Sequence, residues 1–291
     1  FSSMLLIAED LPSDYQSKTA LEKQDLLWQQ IKSSLYEKLP VTGVSPFDML
    51  KLFDIKYLTT TIGYQSDEMP IKRKRLIHTY GTVAKIFFKP ASDTPYTGLF
   101  KSVVPGIIRA SVVRYDPNNL MPGIAIKLFV DGHPSLNTVG LHTIDGQGKD
   151  YNFFAYPFSN IIPPPKSSLM VSVLDVFTKA AKTFDPDANA MKVSLNPFAK
   201  INSDGSEVAD PIAPMQIYFY PTKDVLQDSK DNRDFRIKLA ELVAGTKLFE
   251  VFVKNPDKPD DLLLIGEIIL DSQFIASKYG DEKIFFQHPV K

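Results

Sequence analysis

The chain has 291 residues, of which 44% are hydrophobic and 11% aromatic, so it holds enough apolar side chains to fill a large core. Its 33 basic and 34 acidic residues nearly cancel, which argues against a protein that collects nucleic acid or an anionic membrane surface through net charge. The chain has no cysteine, which excludes disulfides, thiolate catalysis and thiolate metal ligands.

Hydropathy gives no membrane or export signal. No apolar run approaches the roughly 18 residues that a membrane-spanning helix needs, and the apolar patch at 4–8 is too short for a signal-peptide core. We therefore expect a soluble protein without an integral membrane segment, and a cytoplasmic location is favoured. The sequence begins with Phe1, so we expect it to be cropped, processed or preceded by vector residues.

Two helices are predicted near the start of the chain. From Thr19 to about Lys38 apolar residues recur every four positions, which is typical of a helix with one buried face. Thr19 followed three residues later by Glu22 predicts a capping box. A second helix is predicted from Ser45 to Phe53, where a proline follows the serine. We expect residues 1–65 to form a helical arm packed on the main body.

A series of strands is predicted after this arm, because β-branched and aromatic runs alternate with Pro and Gly. No helical pattern separates the first four, which favours an antiparallel meander closing into a barrel over a parallel sheet. Helices are predicted at 168–184 and from Asn232 to Ala244, the second capped by Gly245. The predicted strands are Leu76–Phe88, Gly106–Tyr115, Gly123–Val130, Asn137–Ile144, Tyr151–Phe158, Met191–Leu195, Met215–Tyr220, Lys247–Val253 and Leu262–Leu270.

The chain has no internal repeat or low-complexity tract. The segment Asn202–Pro214, rich in Ser, Asp, Gly and Pro, is the nearest thing to a linker, but strand patterns on both sides suit one sheet. The predicted fold class is therefore α+β, with one domain over 1–291. It consists of an antiparallel β-barrel over 70–290 with inserted helices, preceded by the helical arm.

Four segments between residues 70 and 160 carry candidate chemistry. They are Arg75-x-x-His78-x-x-Gly81, Arg109-Ala110-Ser111, the strand from Gly123 to Gly132, and Asn152-Phe153-Phe154. In this order and spacing they resemble the distal half of the haem site in the catalase superfamily, including its small members that act on lipid hydroperoxides. The resemblance implies a barrel of the catalase-like type.

The resemblance also implies a role for each residue. His78 would be the acid/base that moves a proton between the two peroxide oxygens, and Asn152 would orient the peroxide beside it. Arg75 and Arg109 would pair with haem propionates, because a guanidinium binds a carboxylate in a bidentate way. Ser111 would lie close to the histidine.

The residues alone leave other interpretations open. A histidine in a strand is more often packed or solvent-facing than catalytic, and either arginine could be a strand-end surface charge. The basic run Lys72–Arg75 could solvate the strand entry, face a cofactor carboxylate, or act in nuclear import or phosphate binding. Ile77 is apolar as in true catalases, whereas the allene oxide synthase type has a threonine there.

The chain departs from the family pattern on both sides of the haem. Pro122 stands where catalases have an arginine, so one anionic contact is missing. The proximal iron ligand of the family is a tyrosine four residues after an arginine, and no Arg-x-x-x-Tyr occurs here. Tyr279 and His288 are candidate replacement ligands, although each pattern is more typical of a structural residue. Either the proximal segment is cropped from this sequence or this branch never had it; the sequence up to His288 resembles a domain terminus, which favours the second explanation.

Other catalytic patterns have little support. His133 and His142 flank a predicted turn, but neither a His-x-x-x-His spacing nor a cysteine accompanies them, so a zinc site is not predicted. The glycine-rich phosphate loop and Gly-x-Ser-x-Gly are both absent.

Two functions are compatible with the sequence. The first is a haem-dependent catalase-like oxidoreductase that consumes H2O2 or an organic (lipid) hydroperoxide, with no nucleic-acid partner. The lack of the wrapping and C-terminal regions of full catalases favours the organic substrate. The alternative is a haem-free protein on the same fold that binds an apolar ligand or a partner without enzymatic activity. An axial tyrosinate or imidazole facing His78 across a flat cavity would distinguish the enzyme.

Overall fold

A computed structural model describes residues 11–40, 75, 78–94, 98–112, 122–142, 152–160, 175, 179, 182, 199–201, 207–209, 216–228, 230–255 and 257–286. The predicted helix at 45–53, the predicted strand at 191–195, the basic residues 72–74, Ile77 and His288 lie outside these residues. Of the predicted helix at 168–184, the described positions Asp175, Lys179 and Lys182 are helical.

The described elements alternate short helices with a long run of strands. The helices are α1 (Ala20–Lys32), α2 (Phe235–Ala240) and α3 (Lys278–Glu282). None of the described helices is long and apolar enough to cross a membrane. The strands are β1 (Tyr80–Pro90), β2 (Val104–Val112), β3 (Pro122–Val130), β4 (His133–His142), β5 (Phe158–Ser159), β6 (Ala199–Ile201), β7 (Glu207–Ala209), β8 (Ile217–Pro221), β9 (Lys247–Lys254) and β10 (Leu262–Leu270).

Eight of these strands close into an antiparallel barrel, in the order β1-β10-β9-β8-β5-β4-β3-β2. The strands β1 to β4 form a meander in which each pairs with the next. The barrel closes where β1 pairs with β10, with Ile86 opposite Leu270. The predicted antiparallel barrel is therefore confirmed. β6 and β7 form a separate two-stranded sheet.

The predicted strand Tyr151–Phe158 is wrong over most of its described length. Only Phe158–Ser159 is a strand, and residues 152–157 form turns and bends. The Asn152 side chain accepts a hydrogen bond from the Phe154 backbone at 3.0 Å, and its carbonyl accepts one from Ala155 at 3.1 Å. An asparagine that bonds its own following backbone favours a turn over an extended strand.

Two predicted helices are shorter than their patterns suggest. The helix predicted from Thr19 has the expected capping box with Glu22 but ends at Lys32, and Leu35 is 52% exposed. Its backbone instead forms an isolated β-bridge with Ser277. The helix predicted from Asn232 starts only at Phe235, because Asp234 caps it through the Arg236 N–H. This helix ends at Ala240, so Gly245, at φ +91° in the turn before β9, does not cap it as predicted.

Alternation along β1, β2 and β3 separates two faces of the barrel wall. Ala84, Ile108 and Ile126 point into the barrel and belong to its apolar core. Val83, Ile107 and Phe129 point outwards and pack in a second cluster with Leu27, Trp28 and Ile31 of α1. The outer face of these three strands is thus covered by α1 rather than by solvent.

Polar contacts fix α1 on that outer face. The Gln24 amide donates to the carbonyls of Ile86 and Gly106 at 3.1 and 2.9 Å. The buried Lys23 ammonium donates to the carbonyls of Val130 and His133 at 3.0 and 2.6 Å. These bonds satisfy buried polar groups that would otherwise cost free energy, so they fix the register of the helix on the barrel.

Candidate functional site on the outer face of the barrel

The candidate site lies on the outer face of β1, β2 and β3, next to the strand ends. Gly81 pairs with Ser111, and Ser111 pairs with Gly123, so three small residues lie side by side. A Cβ atom added to Gly123 would come within 2.7 Å of His78 Cε1. The His78 ring therefore packs directly against the backbone of β3, at a place where a larger residue would displace it.

His78 has an unusual backbone and a fixed side chain. Its φ of +52° is in the left-handed region, which is uncommon for residues other than glycine and often marks a functional constraint. The Nδ1 atom lies 3.1 Å from the Ser111 hydroxyl. The expected proximity of His78 and Ser111 is thus observed, and this contact orients the ring.

The environment of His78 favours the neutral imidazole. Burial, and then the positive charge of Arg109, lower the pKa of His78 to about 3, with Arg75 adding to this effect and the hydrogen bond to Ser111 opposing it. At neutral pH the ring is therefore uncharged. When Nδ1–H donates to Ser111, the Nε2 lone pair is available to accept a proton.

Arg109 is buried, and its Nε and Nη2 atoms are bonded to neighbouring groups. Its Nη2 donates to the His78 carbonyl at 2.8 Å and to Asp281 Oδ1 at 2.9 Å, and its Nε donates to the Gly280 carbonyl at 2.9 Å. The two side chains of the Arg109–Asp281 ion pair are each 3% exposed. The carboxylate that faces Arg109 thus comes from α3 of the same chain.

Arg75 lies near the same helix. Its Nε donates to the Asp281 carbonyl at 2.8 Å. Its Nη2 atom is buried and has no hydrogen-bond partner among the described residues. Burial, and then the charge of Arg109, lower the pKa of Arg75. A buried guanidinium N–H without a partner can donate to an anionic or carbonyl oxygen at little further desolvation cost.

Sequence reasoning missed Asp281 and Tyr36. Burial raises the pKa of the Asp281 carboxyl, although Arg109 opposes this shift. Burial, and then the charge of Asp281, raise the pKa of Tyr36, whose phenol faces that carboxylate. No local pattern marks either residue, because both reach the site through tertiary packing. An arginine predicted in an apolar strand was the one available signal that a buried carboxylate would be needed.

Asn152 is held in the turn that precedes β5. It is 8% exposed. Its Nδ2 donates to the Gln227 carbonyl at 3.2 Å, and its Oδ1 accepts from the Phe154 N–H. Among the described residues it bonds these two and not His78. One N–H and one lone pair of the amide remain for another group.

Of the two candidate iron ligands, Tyr279 lies on α3 and the other lies outside the description. Tyr279 is 4% exposed and packs in the apolar cluster beneath α1, with Trp28 and Ile31. His288 is among the residues that the structure does not describe. Within the described parts of the chain, no group of three or more metal-ligating side chains could hold a metal ion.

His142 occupies a different kind of environment. Its Nε2 lies 3.0 Å from the Phe153 carbonyl, and its ring packs against Phe158 and Tyr156. Burial lowers the pKa of His142 to about 4, and the bond to the Phe153 carbonyl opposes that shift. No described charged group acts on it, so His142 fits a packed histidine.

No protein-family model matches this chain, and no curated protein matches it.

Proposed function

We propose that the protein is a haem-dependent catalase-like oxidoreductase that acts on H2O2 or an organic hydroperoxide, on a catalase-like barrel with a helical N-terminal arm. The observation that carries the proposal is the His78 imidazole, which is neutral, bonded to Ser111 and packed on Gly123. A neutral imidazole in a fixed orientation is what transfer of a proton between two peroxide oxygens requires.

The described residues fit the distal side of a haem in part. His78 supplies the acid/base, and the unpartnered Nη2 of Arg75 suits a propionate oxygen. Arg109 is already paired with Asp281, so its contribution is to hold His78 and to keep the imidazole uncharged. A bound haem would supply the redox chemistry of O–O cleavage.

His78 then performs one defined task. Its Nε2 accepts the proton of the peroxide oxygen nearer to it and returns that proton to the leaving oxygen. Ser111 keeps Nδ1 occupied, so the same nitrogen always faces the substrate. The remaining N–H of Asn152 is the candidate for a hydrogen bond to the peroxide.

The test is a haem titration followed by absorption in the Soret region, on the wild-type chain and two histidine variants. We expect a saturable band at one haem per chain in the wild type, in His78→Ala and in His142→Gln. Loss of general acid–base catalysis typically costs about 10²- to 10⁴-fold in rate. We therefore expect His78→Ala to lose consumption of H2O2 and cumene hydroperoxide by that factor, and His142→Gln to keep it.

A flat Soret region in the wild type would overturn the haem proposal. Equal peroxide consumption by wild type and His78→Ala would overturn the role of His78 even if haem binds. The second variant separates these outcomes from misfolding, because it removes the other described histidine whose pKa is lowered by burial.

One observation favours the alternative, a haem-free binding protein. The side chain expected to meet a propionate meets Asp281 instead, and both ends of the Asn152 amide are engaged. If the spectrum is flat, the unpartnered Nη2 of Arg75 becomes the group to test for a carboxylate ligand, by titration with a fatty acid of medium chain length and detection by calorimetry.

A further inference from the structure

The loop that presents His78 is held from both sides by two arginines that meet the same short helix. Arg75, three residues before His78, donates to the Asp281 carbonyl at 2.8 Å. Arg109 joins the His78 carbonyl to the Asp281 carboxylate through one nitrogen, at 2.8 and 2.9 Å. Both contacts therefore end on α3.

The third point of contact lies three residues after His78. A Cβ atom on Gly81 would come within 2.7 Å of the Arg109 guanidinium carbon. The guanidinium group thus lies directly against the Gly81 backbone. A residue with φ of +52° persists only where its surroundings fix it, and these three contacts are the groups that do so here.

The helix α3 is itself anchored. The Ser277 hydroxyl accepts from the Gly280 N–H at 2.9 Å, and the Ser34 hydroxyl accepts from the Tyr279 N–H at 2.9 Å. Ile275, three residues before the start of α3, forms two backbone hydrogen bonds with Val83 of β1, at 2.8 and 2.9 Å. Asp281 is therefore presented to Arg109 by a rigid support, 172 residues away in sequence.

We propose that Asp281 is a positioning residue for His78. Its carboxylate fixes the plane of the Arg109 guanidinium, and Arg109 in turn fixes the carbonyl and the left-handed backbone of His78, so that the imidazole stays on Gly123 and Ser111. The reaction in which His78 acts rests on the proposed function. The chain of contacts from Asp281 through Arg109 to His78, called the clamp below, is present in the protein without any ligand.

The first readout is the imidazole signal of His78 in ¹H–¹⁵N spectra of the haem-free protein. The chain has four histidines, and the His78→Ala variant identifies the signal that belongs to His78. We expect Asp281→Asn to move this signal and to raise its titration midpoint towards the usual value of about 6.5, because a released ring gains water. Loss of a nearby negative charge alone would act in the opposite direction and lower it.

A matched control separates positioning from general stability. Ile217→Ala removes a core side chain from β8, which is three strands away from β1 in the barrel, and is expected to lower the melting temperature. If Asp281 only stabilises the fold, Asp281→Asn and Ile217→Ala both lower the melting temperature and both leave the His78 signal in place. That result, or a lowered His78 midpoint, overturns the proposal.

Two further variants cover the case in which Asp281→Asn fails to fold. Arg109→Lys keeps the charge but not the planar fork that reaches both partners, so we expect the same upward shift of the His78 midpoint. Asp281→Glu keeps the carboxylate and is expected to restore most of the wild-type spectrum. An unchanged His78 signal in Arg109→Lys also overturns the proposal.

The haem titration keeps this inference distinct from the proposed function. A flat Soret band in the wild type refutes the haem enzyme and leaves the spectra of His78 as the test of the clamp. If haem binds, we expect Asp281→Asn to lower kcat per bound haem for peroxide consumption. The Soret band of the variant is expected to stay as strong as that of the wild type.

Discussion

The two faces of β1, β2 and β3 differ sharply, although alternate residues of the same strands form them. The inner face is apolar throughout its core cluster, with Ala84, Ile108 and Ile126 each 0–1% exposed. The outer face carries Arg109, Ser111, Gly81, which lies against Arg109, and Gly123, which lies against His78. The inner face holds the barrel together, whereas the outer face offers the groups that could perform chemistry.

Two partly buried histidines sharpen this comparison. His78 on the outer face is surrounded by charged groups, and Arg109 and Arg75 help to lower its pKa. His142 packs on aromatic rings that face the barrel core, and burial alone lowers its pKa. A lowered pKa therefore does not mark a functional histidine here. What separates the two is the fixed polar support of His78.

The largest effect is expected from the outer face. Arg109→Met removes one partner of a buried ion pair and leaves the Asp281 carboxylate without compensation. We expect the free energy of unfolding to fall by about 3–5 kcal/mol. Urea unfolding followed by circular dichroism measures it. A loss below about 1 kcal/mol would show that water reaches Asp281 and that the pair is not a clamp.

An inner-face substitution should be nearly as costly but should leave the site intact. Ile108→Ala, next to Arg109 in sequence but on the opposite face, creates a cavity worth about 2–5 kcal/mol. The same unfolding experiment measures it. We expect the His78 imidazole signal to stay in place. A moved signal would contradict the independence of the two faces.

A smaller loss of stability is expected when a methyl group is added to Gly123, on which the His78 ring packs. Gly123→Ala places a methyl group 2.7 Å from His78 Cε1, and overpacking of this kind costs about 1–3 kcal/mol. The ring must also leave its place, which the His78 signal reports. Gly140→Ala on the inner face is the matched control, because its nearest contact is 3.3 Å. Equal effects of the two substitutions would contradict the account.

Counted per pH unit and per histidine, the pH dependence of stability should be the smallest of these effects. The folded pKa values of His78 and His142, about 3 and about 4, are lower than the unfolded value of about 6.5. The stabilisation is therefore complete above about pH 6.5 and is lost as the pH falls, at up to about 1.4 kcal/mol per pH unit for each histidine.

Asp281 acts in the opposite direction, because its pKa is raised and its contribution is lost as the pH rises through the folded value. His142→Gln provides the cleaner measurement, since no charged group among the described residues acts on His142. We expect this variant to flatten the slope of stability between about pH 6.5 and about pH 4. An unchanged slope would show that His142 is protonated in the folded protein.

The barrel could be predicted from sequence because its strands follow local rules. Leu262–Leu270 was predicted residue for residue, and Gly123–Val130 within one residue, since apolar runs bounded by turn residues determine both. The turn at Asn152 was missed because a side-chain bond to Phe154 outweighs the β-propensity of the aromatic run.

The sequence predicted only part of the site, the contact between His78 and Ser111. The closeness of His78 and Ser111 was expected only from the resemblance in motif and spacing, and the two side chains do lie 3.1 Å apart. The part supplied by Asp281 comes from the far end of the chain, and no spacing rule connects it with Arg109. The sequence analysis expected Arg109 to pair with a haem propionate, whereas in the structure Arg109 pairs with the carboxylate of Asp281.

The most direct test of the account is a pH titration of the imidazole nitrogens by NMR, from about pH 8 to about pH 4, with His78→Ala and His142→Gln used for assignment. We expect His78 to stay neutral well below pH 6.5. In Arg109→Lys we expect the titration midpoint of His78 to move up towards 6.5. A wild-type His78 that titrates near 6.5, with no response to Arg109→Lys, would contradict a neutral imidazole held in place by Arg109.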